Sequence, residues 1–218
     1  MTLPTDLQQI IDEALVAVKQ HPLHDLNLGY RHAIYSSLGE LHTTHHSPDT
    51  IGHKRRALLS ISTVRHVLPF WEQARPMDTL PHRLLAIAEE VMDGKIDEIK
   101  AKQMLADIDE GPWAYMETIN YIALTENIEN PSFSYAGFGA AHALGVALYD
   151  ERFDPTHIDY NLLDNDVDEH QWDTAFYAAY AASNGAVWLE NSEAIKRHTF
   201  WKWWLTEAPT AWASFSDS

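Results

Sequence analysis

Four histidines, His42, His45, His46 and His53, fall within one short stretch, and neutral imidazole is a good ligand for zinc, copper or nickel. The His42–His45 spacing suits a pair of ligands, but a metal site needs three or four converging donors. The HExxH arrangement, which sets a general-base glutamate between two ligands on one helix, is absent. Glu40 and Asp49 flank the cluster without completing a familiar set. Two readings therefore stand side by side: a solvated polar loop, or the metal site of a metal-dependent enzyme. His66 and His142 lie in apolar helical contexts, where a histidine more often satisfies a local hydrogen bond than binds metal.

Carboxylates form the second constellation. Between Asp150 and Asp173 the chain carries nine acidic residues against the single Arg152. Asp164, Asp166 and Asp168 match the first three side-chain positions of an EF-hand calcium loop. The match then fails, because Glu169 stands where the loop needs glycine and Ala175 where it needs a bidentate glutamate. Negative charge at Asp168 and Glu169 also suits the start of the helix expected around Trp172, through the helix dipole. The functional reading of Asp164, Asp166, Asp168 and Glu169 is an acidic surface that docks a basic partner, and the two roles are compatible.

Other chemistry finds no support. Gly137-Phe-Gly139 follows no strand and has His142 at the third glycine position, so it is not a dinucleotide loop. No Walker loop, GxSxG elbow or HxE…CxxC deaminase pattern occurs, so no catalytic residue and no cofactor are expected. The absence of cysteine excludes disulfides, zinc–thiolate sites and thiol nucleophiles, and leaves the compartment open. The chain has 15 Lys plus Arg against 32 Asp plus Glu, a formal charge of −17. Such a field repels nucleic acid and anionic membranes and attracts basic proteins from a distance. The N-terminus, MTLPTDLQQ, lacks the basic-then-apolar pattern of a signal peptide. Phe133 to Tyr149 is rich in Gly and Ala, holds His142, and is short for a membrane span, so it reads as a buried helix.

The elements that must position these residues are helical. Apolar stripes at i, i+3, i+4 spacing run through Ile10 to Val18, Ala57 to Trp71, Leu84 to Met92, Ala101 to Ile108, Tyr115 to Ala123, Trp172 to Tyr180 and Trp201 to Ala208. Pro69 is expected to kink or end the second of these, and Gly94 to end the third. Gly137, Ala141 and Gly145 recur four apart, which lets a neighbouring helix approach closely. Period-two alternation and hairpin turn signals are almost absent. The fold expected is all-α, a single domain of about eight or nine helices over residues 1–218, with residues 1–50 as an N-terminal helical hairpin, loosely attached. Leu41–Gly52, Thr125–Ser134 and Phe153–Asp168 read as loops. The ending KRHTFWKWWLTEAPTAW holds more aromatics than one buried stripe needs. Either two neighbouring helices clamp them, or one or two stay exposed as interface anchors.

Three segments, KRRALLSISTVRHVLPFWE from Lys54, DNDVDEHQWDTAFYAAYAA from Asp164, and EAIKRHTFWKWWLTEAP near the end, together resemble the family numbered five among immunity proteins of bacterial polymorphic toxin systems. The likeness runs from about Lys54 to Trp212, with its motifs in order. Its motif positions here are Arg65, His66, Leu68, Pro69 and Trp71, then Asp166, Asp168, Trp172 and Asp173, then Lys196, Arg197, Trp201, Trp204 and Leu205. The resemblance implies an all-α, non-enzymatic protein that binds and neutralises a cognate toxin in the cytoplasm. It supplies no catalytic residues. A pair between Asp173 and Arg65 or Arg197 is one arrangement these positions allow. The acidity fits an inhibitor of a basic nuclease toxin, since negative surface charge steers association with such a partner. Two other readings compete: the metal-dependent enzyme, and a helical scaffold for some other basic protein.

Overall fold

A computed structural model of the chain describes residues 3–40, 50–105, 113–125, 132–150 and 158–215. Nine α-helices and no strand occur among them: α1 (Thr5–Gln20), α2 (Leu28–Ser37), α3 (Ile51–Ala74), α4 (Leu80–Met92), α5 (Glu98–Met104), α6 (Trp113–Thr125), α7 (Ser132–Tyr149), α8 (Thr174–Ala182) and α9 (Ala194–Ser214). Two 3-10 turns, Asp164–Asp166 and Glu169–Gln171, precede α8. The all-α expectation holds.

Helix α7 is the axis of the fold. Its Ala, Gly and Ser residues offer no polar stripe, so almost every side chain is buried, against α3, α4, α6 and α8. Smallness matters most at Gly137, where a Cβ would stand 2.7 Å from the Trp71 ring of α3. No helix among the described residues is long and apolar enough to cross a membrane. A second layer follows from α9, which packs on α3, α1 and α8. It buries Phe200, Trp201, Trp204, Leu205 and Ala208.

Local signals explain most helix limits. Of the α1 stripe expected from Ile10 to Val18, Ile11, Ala14 and Val18 are buried, together with Leu7, whereas Ile10 is half-buried and Leu15 exposed. Thr50 caps α3 by accepting from His53 N, and Asp97 caps α5 through Lys100 N. Gly94, at φ +69°, follows the end of α4 in the left-handed conformation that glycine tolerates. Pro69 does not end its helix, however: α3 continues to Ala74. Burial of Val67, Leu68 and Trp71 on both sides of the proline holds the helix through it, and the Trp71 indole donates to Asp78 O at 2.9 Å.

Candidate functional site

The acidic segment divides by burial. Asp166, Asp168 and Glu169 are exposed, whereas Asp164 is 5% exposed and Asp173 2%. Asp164, expected on an exposed docking surface, is turned inward instead. It lies against the guanidinium of Arg31, a wholly buried residue of α2. Arg31 Nη1 donates to Asp164 Oδ2 at 3.1 Å, and Nη2 donates to Asp164 Oδ1. Its Nε donates to Asp173 Oδ2 at 2.8 Å, and Nη1 also to Leu26 O at 2.7 Å. Asp173 pairs with Arg31, then, and not with Arg65 or Arg197. Arg65 is exposed and pairs with Glu89.

One cation holding two buried carboxylates has clear electrostatic consequences. Burial pushes the Asp164 carboxyl up to about 6, with Arg31 opposing that rise. For Asp173 burial acts the same way, but Arg31 and the Phe176 N–H outweigh it and hold the carboxyl below its ordinary range. Desolvation disfavours the Arg31 charge, yet its two partners raise its pKa well above normal. Asp173 also caps α8 by accepting from Phe176 N at 2.7 Å. Trp172 accordingly lies just before α8 and not within its stripe, and its indole donates to Asp164 O at 2.8 Å. The helix-start charge expected of Asp168 and Glu169 belongs to Asp173.

Two further buried arginines hold the N-terminal segment. Arg56 grips Asp150 through both oxygens, Nε to Oδ1 at 2.5 Å and Nη2 to Oδ2 at 2.8 Å. It also donates to Gly39 O and Glu40 O, each at 2.7 Å, and so ties the end of α2 to the end of α7. Arg197, 1% exposed, donates to Leu23 O at 2.9 Å and to Ser192 Oγ. Its Nε lies 4.0 Å from Asp25 Oδ1, which accepts from the Trp201 indole at 2.9 Å. The bonds of Arg31 to Asp164 and Asp173, of Arg56 to Gly39 O and Glu40 O, of Arg197 to Leu23 O and of Trp201 to Asp25 cross from the first forty residues to the body of the fold. Buried polar centres thus join the N-terminal helices to the rest of the fold.

The histidine cluster resolves only in part. His42, His45 and His46 lie outside the described residues. His53 is not in a loop: it is buried in the first turn of α3, its Nε2 2.7 Å from Val146 O. Among the described residues no three His, Asp or Glu side chains are grouped as a metal site. His142 Nδ1 stands 3.0 Å from Thr174 Oγ1 in α8, and burial lowers its pKa to about 4. The C-terminal tryptophans are clamped. Trp201 and Trp204 are buried, Trp203 stacks on His66 at 3.7 Å, and Arg55 lies over Trp212. Among the described residues the exposed indole is Trp188, in the turn between α8 and α9.

Sequence reasoning missed Arg31, Arg56, Asp25 and Trp188. A signal existed for the arginines: in a chain with so few cations, each sits among apolar residues at helical spacing. A family model described as "Immunity protein Imm5" matches residues 11–210. Its match begins well before Lys54, where the three motifs begin, and takes in Asp25, Arg31 and α2. A comparison with curated proteins finds no match.

Proposed function

The chain belongs to the Immunity protein Imm5 family, and on that premise we propose that it binds a cognate bacterial toxin in the cytoplasm and neutralises it by occupying its working surface. The observation that carries the proposal, beyond family membership, is the division of the acidic segment. Asp164 and Asp173 are spent inside on Arg31, and this holds the intervening turns with Asp166, Asp168 and Glu169 outward. A fixed row of exposed carboxylates on a chain of net charge −17 is what a basic partner meets first. A nuclease toxin fits best, because a surface evolved for phosphate presents the complementary charge. The protein acts by occupancy, with no turnover and no cofactor.

The test is co-expression. Cells making the toxin encoded beside this gene should survive when this protein is made with it. Death at full expression of the soluble protein would count against the assignment. Charge reversal at Asp166, Asp168 and Glu169 should slow association and reduce its dependence on salt.

A further inference from the structure

Beside the exposed carboxylates lies a small cleft of about 50 Å³, bounded by three turns. His21, Asp25 and Asn27 come from the turn between α1 and α2, Leu163, Asp164 and Asn165 from the acidic segment, and Val187 and Trp188 from the turn before α9. Arg197 binds two of these turns together through Leu23 O, Gly185 O and Ser192 Oγ, so their relative placement is rigid.

The chemistry of the cleft is incomplete. Asp25 Oδ1 takes the Trp201 indole and Leu26 N, but its second oxygen accepts no hydrogen bond among the described residues. The Tyr180 hydroxyl, on a residue 0% exposed, has no hydrogen-bond partner among the described residues either. Tyr180 stands next to the cleft: its ring is 5.7 Å from Trp188, and Asp25 and Asp164 join burial in pushing its phenol up. Buried polar groups are ordinarily satisfied, so such a group beside a cleft marks a place where a ligand atom completes the set. Trp188 has its other neighbours in Trp172 and Phe176, which hold the indole while leaving it 48% exposed. Leu23 and Leu189 are exposed on the flanking turns.

We propose that this cleft receives the ammonium of a lysine presented by the toxin, with Asp25 as acceptor, the lysine stem against Trp188, and Leu23 and Leu189 as an apolar rim. The inference rests on the reading of the chain as a toxin-binding protein. An anion is repelled by the two carboxylates. A metal lacks a ligand set, since His21 Nδ1 already accepts from Leu23 N and Asp25 N and no three donors group here. A lysine tip carries three donors into a cleft lined by Asp25, whose second oxygen has no donor among the described residues, and it fits a small opening better than a planar guanidinium. An aromatic wall beside a cation adds to the attraction. A rigid, half-buried aromatic with an apolar rim is also the usual make-up of an interface hot spot.

Two measurements on the full chain test this. The first titrates N-acetyl-lysine methylamide into protein labelled with nitrogen-15 at the tryptophan indoles. The Trp188 and Trp201 indole signals should move saturably, N-acetyl-norleucine methylamide should leave them still, and Asp25→Asn should abolish the response. Unmoved signals, or equal movement with norleucine, overturn the cleft assignment without any reference to a toxin. The second measures binding of the toxin domain to wild type and to Trp188→Ala, an exposed substitution that leaves the buried network intact. A weakening of about thirtyfold or more is expected. Tight binding by both proteins overturns the cleft and leaves the toxin-inhibitor reading standing. No binding by wild type overturns that reading and, with it, the lysine's assignment to the toxin.

Discussion

Replacing Arg31 by methionine should be among the most damaging single changes to this fold, and its rescue should be equally informative. The guanidinium is wholly buried and serves Asp164, Asp173 and Leu26 O together. Methionine fills much of its volume but leaves two carboxylates buried without a counter-charge. Breaking a buried pair in this way costs about 3–5 kcal/mol. For a chain of this size that lowers Tm by roughly 6–20 °C. The triple variant Arg31→Met, Asp164→Asn, Asp173→Asn removes all three charges, and asparagine at 173 still caps α8. It should recover most of the loss. The pH dependence has a definite sign. Without Arg31, both carboxyls have folded pKa values above their unfolded ones, so the deficit is small in acid and grows as pH rises through those values. Wild-type Asp173 behaves oppositely: its depressed pKa contributes stability above the unfolded value, lost as pH falls. Urea denaturation followed by circular dichroism at several pH values measures all of this. A single-variant loss under about 1 kcal/mol, or a triple variant no more stable than the single, would refute the claim that Arg31 holds the acidic segment.

Other substitutions probe separate parts of the account. Arg56→Lys should cost about 2–4 kcal/mol, because an ammonium cannot grip both Asp150 oxygens and reach Gly39 O and Glu40 O; thermal melts suffice to check it. His142 is held neutral with a folded pKa of about 4, so its contribution is full above its unfolded value and lost as pH falls through the window to about 4. That window corresponds to about 3 kcal/mol, and His142→Gln should flatten the acid limb of the stability curve relative to wild type. The rise of Asp164 to about 6 opposes this trend in both proteins, so their difference isolates the histidine. Gly137→Ala should destabilise by about 1–3 kcal/mol, since its Cβ meets the buried Trp71 ring at 2.7 Å. Gly139→Ala, whose nearest contact is Val64 at 3.3 Å, should cost less, and comparing their denaturation midpoints decides the matter.

Local pattern carries a long way in this chain and then stops at a definite physical boundary. The stripe Leu84–Met92 names its buried face directly, because a helix repeats every 3.6 residues whatever surrounds it, and the α1 stripe does so at Ile11, Ala14 and Val18 but not at Leu15. The small residues of α7 announce close packing for the same reason. Pro69 misleads because the cost of a proline in a helix is local while the burial of Trp71 beyond it is tertiary. Trp172 belongs by period to the α8 stripe, yet the N-cap at Asp173 starts the helix only after it. The destination of Asp164 was least legible. Nothing around it in sequence distinguishes it from Asp166, and its partner Arg31 lies 133 residues away. Which carboxylate turns inward is decided by where α2 packs, so an acidic run is readable as acidity but not as a divided set of anchors and exposed charges. The cleft beside it, assembled from three separate turns, has no linear signature at all.

The central claim is neutralisation by stoichiometric occupancy, and titration of the toxin's activity with this protein tests it most directly. Purified toxin domain is mixed with increasing amounts of the full chain, and residual activity is measured after brief and prolonged incubation. Residual activity should fall linearly to zero at one equivalent, the same at both times, with a one-to-one complex on size-exclusion chromatography. Progressive inactivation by a small fraction of an equivalent would reveal turnover, and undiminished activity at excess would reveal no inhibition; either contradicts it.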